Sequence, residues 1–153
     1  VYKFLDGIIP AVRSGLCDEV ASVYSAAAKA FATLQRLIGA LAVQEIVPAM
    51  LQLLKSGSEK EFGMGRRGLR EVVAQRPSAV VPYLLPKLAS PPISLASAQA
   101  IEAVAPVSAE PMYSQLDLVL PALMSGLYLE IELEPSGCTS TPELRDALLA
   151  ACE

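Results

Sequence analysis

Gly63-Met64-Gly65-Arg66-Arg67-Gly68 has the spelling G-x-G-x-x-G. In dinucleotide-binding folds that spelling follows a strand, and its glycines let backbone amides approach a pyrophosphate. Here Ser58-Glu59-Lys60-Glu61 stands where the strand should be, so the expected state is a helix weakened by glycine and no nucleotide site. The same stretch opens the densest basic cluster of the chain, Arg66, Arg67, Arg70 and Arg76. On a helix, Arg66 and Arg70 share a face, Arg67 lies about 100° round from Arg66, and Arg76 falls near the helix end. Such a group is either a solvated face or a docking patch for an acidic protein surface or for RNA phosphate. Arg13 is a smaller candidate; close to a turn and to Asp18, it is expected to form a local ion pair. Glu130 and Glu132 imitate paired carboxylates, but nothing nearby supplies a pocket or an electrophile, so they read as a solvated edge. Cys17, Cys138 and Cys152 are odd in number and lack Cys-x-x-Cys spacing; they read as reduced thiols packed as small core residues. The chain has no His, which removes the Ser-His and Cys-His couples and the commonest metal ligand. No acid, base, nucleophile and orienting group converge, so the expectation is a chain that is not an enzyme, with no cofactor, metal or small-molecule substrate.

Composition narrows the class further. Apolar residues make up 53% of the 153 residues, aromatics only 5%, and Trp is absent. A core of Leu, Val, Ile and Ala suits close-packed helices. A net charge of −4 argues against bulk nucleic-acid affinity as the main property. The longest uncharged stretch, Leu88 to Ile101, carries two prolines and several serines and falls short of the roughly 18 apolar residues of a membrane span. No basic segment precedes an apolar one as in a signal peptide. A cytoplasmic protein is expected, and a start at Val1 inside a repeating unit suggests a fragment of something longer.

The elements that must carry the arginines form a repeat. Ile8-Ile9-Pro10-Ala11-Val12, Ile46-Val47-Pro48-Ala49-Met50, Val80-Val81-Pro82-Tyr83-Leu84 and Val119-Leu120-Pro121-Ala122-Leu123 each have two aliphatics, a proline and an aliphatic two residues on, with a leucine six residues past the proline. The prolines at 10, 48, 82 and 121 are 38, 34 and 39 residues apart. Steps of this length mark a solenoid of stacked helix pairs. An all-α solenoid of about four helix-pair repeats follows, with boundaries near 1–39, 40–76, 77–107 and 108–153. Helical spacing puts Phe4, Leu5, Ile8, Ile9, Val12 and Leu16 on one inner face, and Val20, Val23, Ala27, Phe31, Leu34 and Ile38 on the next. Asp18 is expected to cap the second helix, and Gly39 to end it in a left-handed conformation. Pro82 and Pro86 should kink their helix or delay its first turn, and Pro106 should stop the helix that begins near Ile93. After Tyr128, Leu129, Ile131 and Leu133 alternate with Glu130, Glu132 and Glu134, a period-two pattern expected to be partly extended. Ser140-Thr141-Pro142-Glu143 then reads as a helix start with a capping box.

Two-helix units of about 40 residues, with proline in the first helix and Asp18 at the turn five residues before Val23, resemble HEAT repeats. Tyr24 stands where that family usually has Arg, so its Asp–Arg ladder is not expected here. Ala26-Ala27-Ala28-Lys29-Ala30-Phe31, Gly68-Leu69-Arg70-Glu71-Val72, and Val81-Pro82-Tyr83-Leu84-Leu85-Pro86-Lys87-Leu88 followed by Pro91-Pro92 resemble, more narrowly, the general-control translational activators. The resemblance covers about residues 8 to 127 and leaves out the tail from 128. It implies a ribosome-associated HEAT scaffold that activates the kinase of initiation factor two-alpha during amino-acid starvation. It places the chain in the C-terminal part of that scaffold, which contacts the RWD domain of the kinase. On this reading the partners are the RWD domain and the ribosome, and nucleic acid enters only as ribosomal RNA. The partner-binding candidates are Arg66, Arg67, Arg70 and Arg13. The competing expectations are direct ribosome contact through the arginines and a HEAT segment of an unrelated transport adaptor.

Overall fold

A computed structural model of the chain describes residues 4–56, 58–108, 110–133 and 142–152, except for the side chains of 129–133 and 152. Helices account for nearly all of it and no strand occurs among the described residues: α1 (Leu5–Leu16), α2 (Ala21–Ile38), α3 (Ala40–Lys55), α4 (Glu59–Gln75), α5 (Pro77–Leu88), α6 (Leu95–Ser108), α7 (Glu110–Tyr113), α8 (Leu116–Leu133) and α9 (Pro142–Cys152). The chain divides into two compact units, Val1–Val80 and Val81–Glu153.

The repeated prolines explain themselves once helical. Pro10, Pro48, Pro82 and Pro121 all lie inside helices. Each removes the hydrogen bond to the carbonyl four residues back. Those carbonyls belong to Asp6, Gln44, Ser78 and Asp117, every one an exposed polar residue. Water can serve the freed acceptor, so the proline costs less than it would on a buried face. Most of the aliphatics around the prolines point the other way: Val12, Ile46, Val47, Met50, Val80, Val81, Leu84, Val119 and Leu123 are buried, while Ile8 and Leu120 are exposed.

In the first unit, α1 packs on α2, α3 on α4, and α2 also on α3 and α4. Leu5, Val12 and Leu16 are buried on α1, and Ala27, Ala28, Phe31 and Leu34 on α2. The inner faces are narrower than expected: Phe4, Ile8, Val20 and Val23 are exposed. Asp18 does not sit at the cap position. Its Oδ1 accepts from Val20 N at 2.8 Å, fixing the approach to a helix whose cap residue is Val20. Gly39 has the expected positive φ, 62°, and alone separates α2 from α3.

The glycines of α4 are more than weak points. Gly65 and Gly68 are buried. A Cβ on Gly65 would lie 2.9 Å from Leu53 Cβ and 2.9 Å from Met50 O, and one on Gly68 would lie 2.8 Å from Met50 Sδ and 3.1 Å from Leu16 O. They are contact points where α4 meets α3 and the end of α1, and the nucleotide-motif spelling is the trace of that approach. Gly63 meets nothing within 4 Å.

Cys17 lies in the turn after α1, its Sγ 3.9 Å from Met50 Sδ. Burial pushes its thiol above the ordinary cysteine range, and the Arg13 guanidinium acts weakly against that. Because the folded value is the raised one, the contribution to stability is full below about pH 9 and is lost as pH rises through the folded value. At pH 8, alkylation of Cys17 by iodoacetamide, followed by peptide mass mapping, should run several-fold slower in the native chain than in urea. Equal rates would contradict its burial.

In the second unit, α9 packs on both α6 and α8, and α7 lies against α6. Ala98, Ala100, Ile101, Val104, Met112, Val119, Leu123, Ala147 and Leu148 are buried. Four outcomes differ from expectation here or just before, the first being that the start of α5 is not delayed. α5 begins at once at Pro77 and runs as one element through Pro82 and Pro86. Arg76 O accepts from both Ala79 N and Val80 N, which starts its first turn. Pro106 does not stop α6, which continues to Ser108; a proline forfeits only one hydrogen bond here, and Ser108 Oγ supplies another to Val104 O at 2.7 Å. The start of α6 lies a little later than expected, at Leu95, because Ser94 caps it, its Oγ accepting from Ser97 N at 3.2 Å. The Leu/Glu alternation does not produce extended chain through residue 133, since α8 runs to Leu133. Leu and Glu are both strong helix formers, and that propensity outweighs a short period-two pattern. Glu134, Cys138 and the proposed capping box at 140–141 lie outside the described residues.

Candidate interaction surface

The helix α4 carries three of the four candidate arginines, and the structure separates them. Arg67 turns toward the start of α2. Its guanidinium lies over the Tyr24 ring, 5.9 Å from the centroid, a distance at which the cation still feels the ring face. Its charge also helps lower the carboxyl of Glu19 below the ordinary range, behind the larger effect of Lys60, whose Nζ is 2.6 Å from Glu19 Oε1. Arg76, at the other end of α4, donates from Nε to Gln35 Oε1 at 2.7 Å. Arg67 and Arg76 therefore tie α4 to α2 towards its two ends, and Lys60 reaches the turn before it. The Lys60–Glu19 pair is solvent-exposed, so it contributes little and weakens in salt.

Arg66 and Arg70 are different. Both are exposed, and among the described residues neither makes a hydrogen bond, ion pair or ring contact. Four residues apart, they stand on one stripe of α4 with Gly63 and Glu59. Arg13 is half-buried and does not join them. The expected ion pair with Asp18 is not formed; the Asp18 carboxylate is held by its own backbone turn, and the Arg13 guanidinium acts on the Cys17 thiol. The structure thus brings two of the four candidates together as a free basic face and assigns Arg67 a contact of its own.

Charge is divided unevenly along the chain. Residues 1–80 hold ten Lys and Arg against seven Asp and Glu, a net +3, whereas residues 81–153 hold two against nine, a net −7. The modest total conceals a basic unit and an acidic one. Among the described residues no three His, Cys, Asp or Glu side chains converge as a metal ion would require. No helix among them is long and apolar enough to cross a membrane.

A family model described as "Stalled ribosome sensor GCN1-like, HEAT repeats" matches residues 80–152. The eIF-2-alpha kinase activator GCN1 of Dictyostelium discoideum is 33% identical over 151 residues, 98% of this chain and 6% of its own length. The chain belongs to the GCN1-like HEAT-repeat family. The activator of the same name from Saccharomyces cerevisiae is 32% identical over 127 residues, covering 83% of the chain and 5% of that protein. The Stalled ribosome sensor GCN1 of Homo sapiens is 32% identical over 143 residues, covering 90% and 5%. No solved structure matches the chain. The chain spans about a twentieth of the length of these curated relatives. Membership sets aside the unrelated transport adaptor. It also corrects the extent of the resemblance: the GCN1-like match continues to residue 152, so the tail after Tyr128 lies inside the family's HEAT repeats.

Sequence reasoning did not find the ties between α2 and α4. Gln35, Tyr24 and Glu19 are unremarkable singly, and their partners lie about 40 residues away. One signal was available. Glu19 and Lys60 are 41 residues apart, as are Gln35 and Arg76, close to the spacing of the prolines, so equivalent positions of adjacent repeats carry complementary groups.

Proposed function

We propose that the chain is a non-catalytic scaffold segment of a cytoplasmic GCN1-like protein, made of about four HEAT repeats with boundaries near residues 39, 76 and 107. Its Arg66–Arg70 face docks the RWD domain of the initiation factor two-alpha kinase and holds the kinase near the ribosome. The observation that carries this reading is the pair of exposed, unengaged guanidiniums on α4, in a chain whose relatives are named as eIF-2-alpha kinase activators. Holding two arginines in the open costs nothing if an acidic protein surface is to receive them, and guanidinium forks suit carboxylates. A second reading is supported by the net +3 of residues 1–80: the same face contacts ribosomal RNA phosphate.

Titration of the chain against the RWD domain at two salt concentrations separates the readings. Arg66→Glu/Arg70→Glu should weaken RWD binding at least tenfold with helicity unchanged, because both side chains are exposed. Arg67→Glu should act through fold stability instead, by losing the Tyr24 contact and facing Glu19 with a like charge. Binding indifferent to the double variant would place the kinase contact elsewhere. If ribosome co-sedimentation is lost in the double variant, with a steep salt dependence and no RWD binding in the parent chain, the RNA reading stands.

A further inference from the structure

The second unit contains a groove of about 530 Å³ between α6, α7, α8 and α9. Met112, Leu116, Val119, Leu120 and Leu123 supply its apolar surface, with Glu102 and Tyr113 among the lining residues. The floor is built from the unit's core, since Met112, Val119 and Leu123 are buried. Its mouth is apolar as well: Tyr113 is 73% exposed and Leu120 40%.

Its charge is one-sided. Glu102 shares a face of α6 with Ala105 and Pro106, which also line the groove. Asp117 stands three residues before Leu120 on α8, Glu110 three before Tyr113 on α7, and Asp146 four before Ala150 on α9. Glu102 lines the groove itself, and helical spacing sets the exposed Glu110, Asp117 and Asp146 one turn from lining residues. The only basic residues of the unit are Lys87 and Arg145. The Lys87 ammonium lies 4.7 Å from the Tyr83 ring centroid, and Arg145 Nε lies 3.9 Å from Asp146 Oδ1.

We propose that this groove is a docking site for a basic amphipathic helix of a partner protein, whose aliphatic face enters between α6 and α8 and whose Lys and Arg flanks meet Glu102, Glu110, Asp117 and Asp146. A helix-in-groove mode fits a cleft with an apolar floor. Glu102 in the lining and the acidic balance of the unit around it set the sign of the partner and speed its approach. Met112 in the floor gives the surface the adaptability that such grooves use. The proposal is independent of the Arg66–Arg70 face, which lies in the other unit and carries the opposite charge.

The test uses the 153-residue chain and a fluorescein-labelled Leu/Lys peptide of helical period, with a Leu/Glu peptide of the same pattern as its counterpart. Fluorescence anisotropy should show binding of the Leu/Lys peptide alone. Leu120→Gln should weaken it about tenfold, and so should Glu102→Gln/Asp146→Asn. Amide NMR shifts in the parent chain, which do not depend on any variant folding, should move at Tyr113, Leu116 and Leu120. Binding untouched by Leu120→Gln would mean diffuse charge attraction and would overturn the proposal. So would equal binding of the Leu/Glu peptide, or shifts confined to other helices. If the chain self-associates in sedimentation and Leu120→Gln makes it monomeric, the occupant is a second copy and not a partner's basic helix.

Discussion

Gly65→Ala is expected to destabilise the chain by about 2 kcal/mol, the opposite of what an alanine usually does in a helix interior. The usual gain is roughly 1 kcal/mol, from lost backbone freedom in the unfolded chain. At residue 65 it is overridden. The added methyl would lie 2.9 Å from both Leu53 Cβ and Met50 O and 3.3 Å from Leu54 N. None of these is the free end of a flexible side chain, so α4 must move bodily away from α3, loosening the buried Leu69, Val72 and Val73. Gly63→Ala, two residues away, meets open space and should stabilise by about 1 kcal/mol. Urea unfolding followed by far-UV circular dichroism gives both values, and the opposite signs are the point. If both variants prove more stable, the close approach of α3 and α4 is wrong.

Phe31→Ala should cost more, about 3–5 kcal/mol. Phe31 is fully buried and heads the buried side chains by size. It sits near the middle of α2, the helix that packs on α1, α3 and α4 alike. Truncation there leaves a cavity bounded by helices already held by other contacts, and such walls collapse little. Leu37→Ala, on the same helix but exposed, should change stability by no more than about 0.5 kcal/mol. Comparable shifts in the urea midpoint for the two variants would show that α2 does not bear the core of its unit.

The architecture was legible because it rests on polarity repeated at a fixed step. Two aliphatics, a proline and a third aliphatic recur at 10, 48, 82 and 121, and all four became helices with most of those aliphatics facing inward, Ile8 and Leu120 being the exposed ones. What went astray depended on weighing local effects against one another. Pro106 lost one hydrogen bond and the helix continued; the Leu/Glu alternation met two residue types that prefer helix anyway; Asp18 found a nearer amide than the one it was expected to cap. The candidate site was half legible. Spacing alone paired Arg66 with Arg70, and it could not reveal that Arg67 would reach Tyr24, because that contact depends on how closely α4 approaches α2. Gly65 and Gly68 set how closely α4 approaches its other neighbours. In a sequence, a glycine that weakens a helix and a glycine that admits a neighbour are spelled alike.

Gly39 bears on how this chain tolerates change in length. A single residue, at φ 62° and ψ −132°, joins the end of α2 to the start of α3. The junction has no slack. An inserted residue would turn α3 by about 100° about its axis and carry Ile46, Val47 and Met50 out of the core, and a side chain at 39 would oppose the turn itself. The connection between α1 and α2 runs over Cys17, Asp18, Glu19 and Val20 and ends on the exposed Glu19 and Val20. Tags, cleavage sites and grafted loops belong there, and natural length variation among relatives should gather there while leaving the α2–α3 corner untouched.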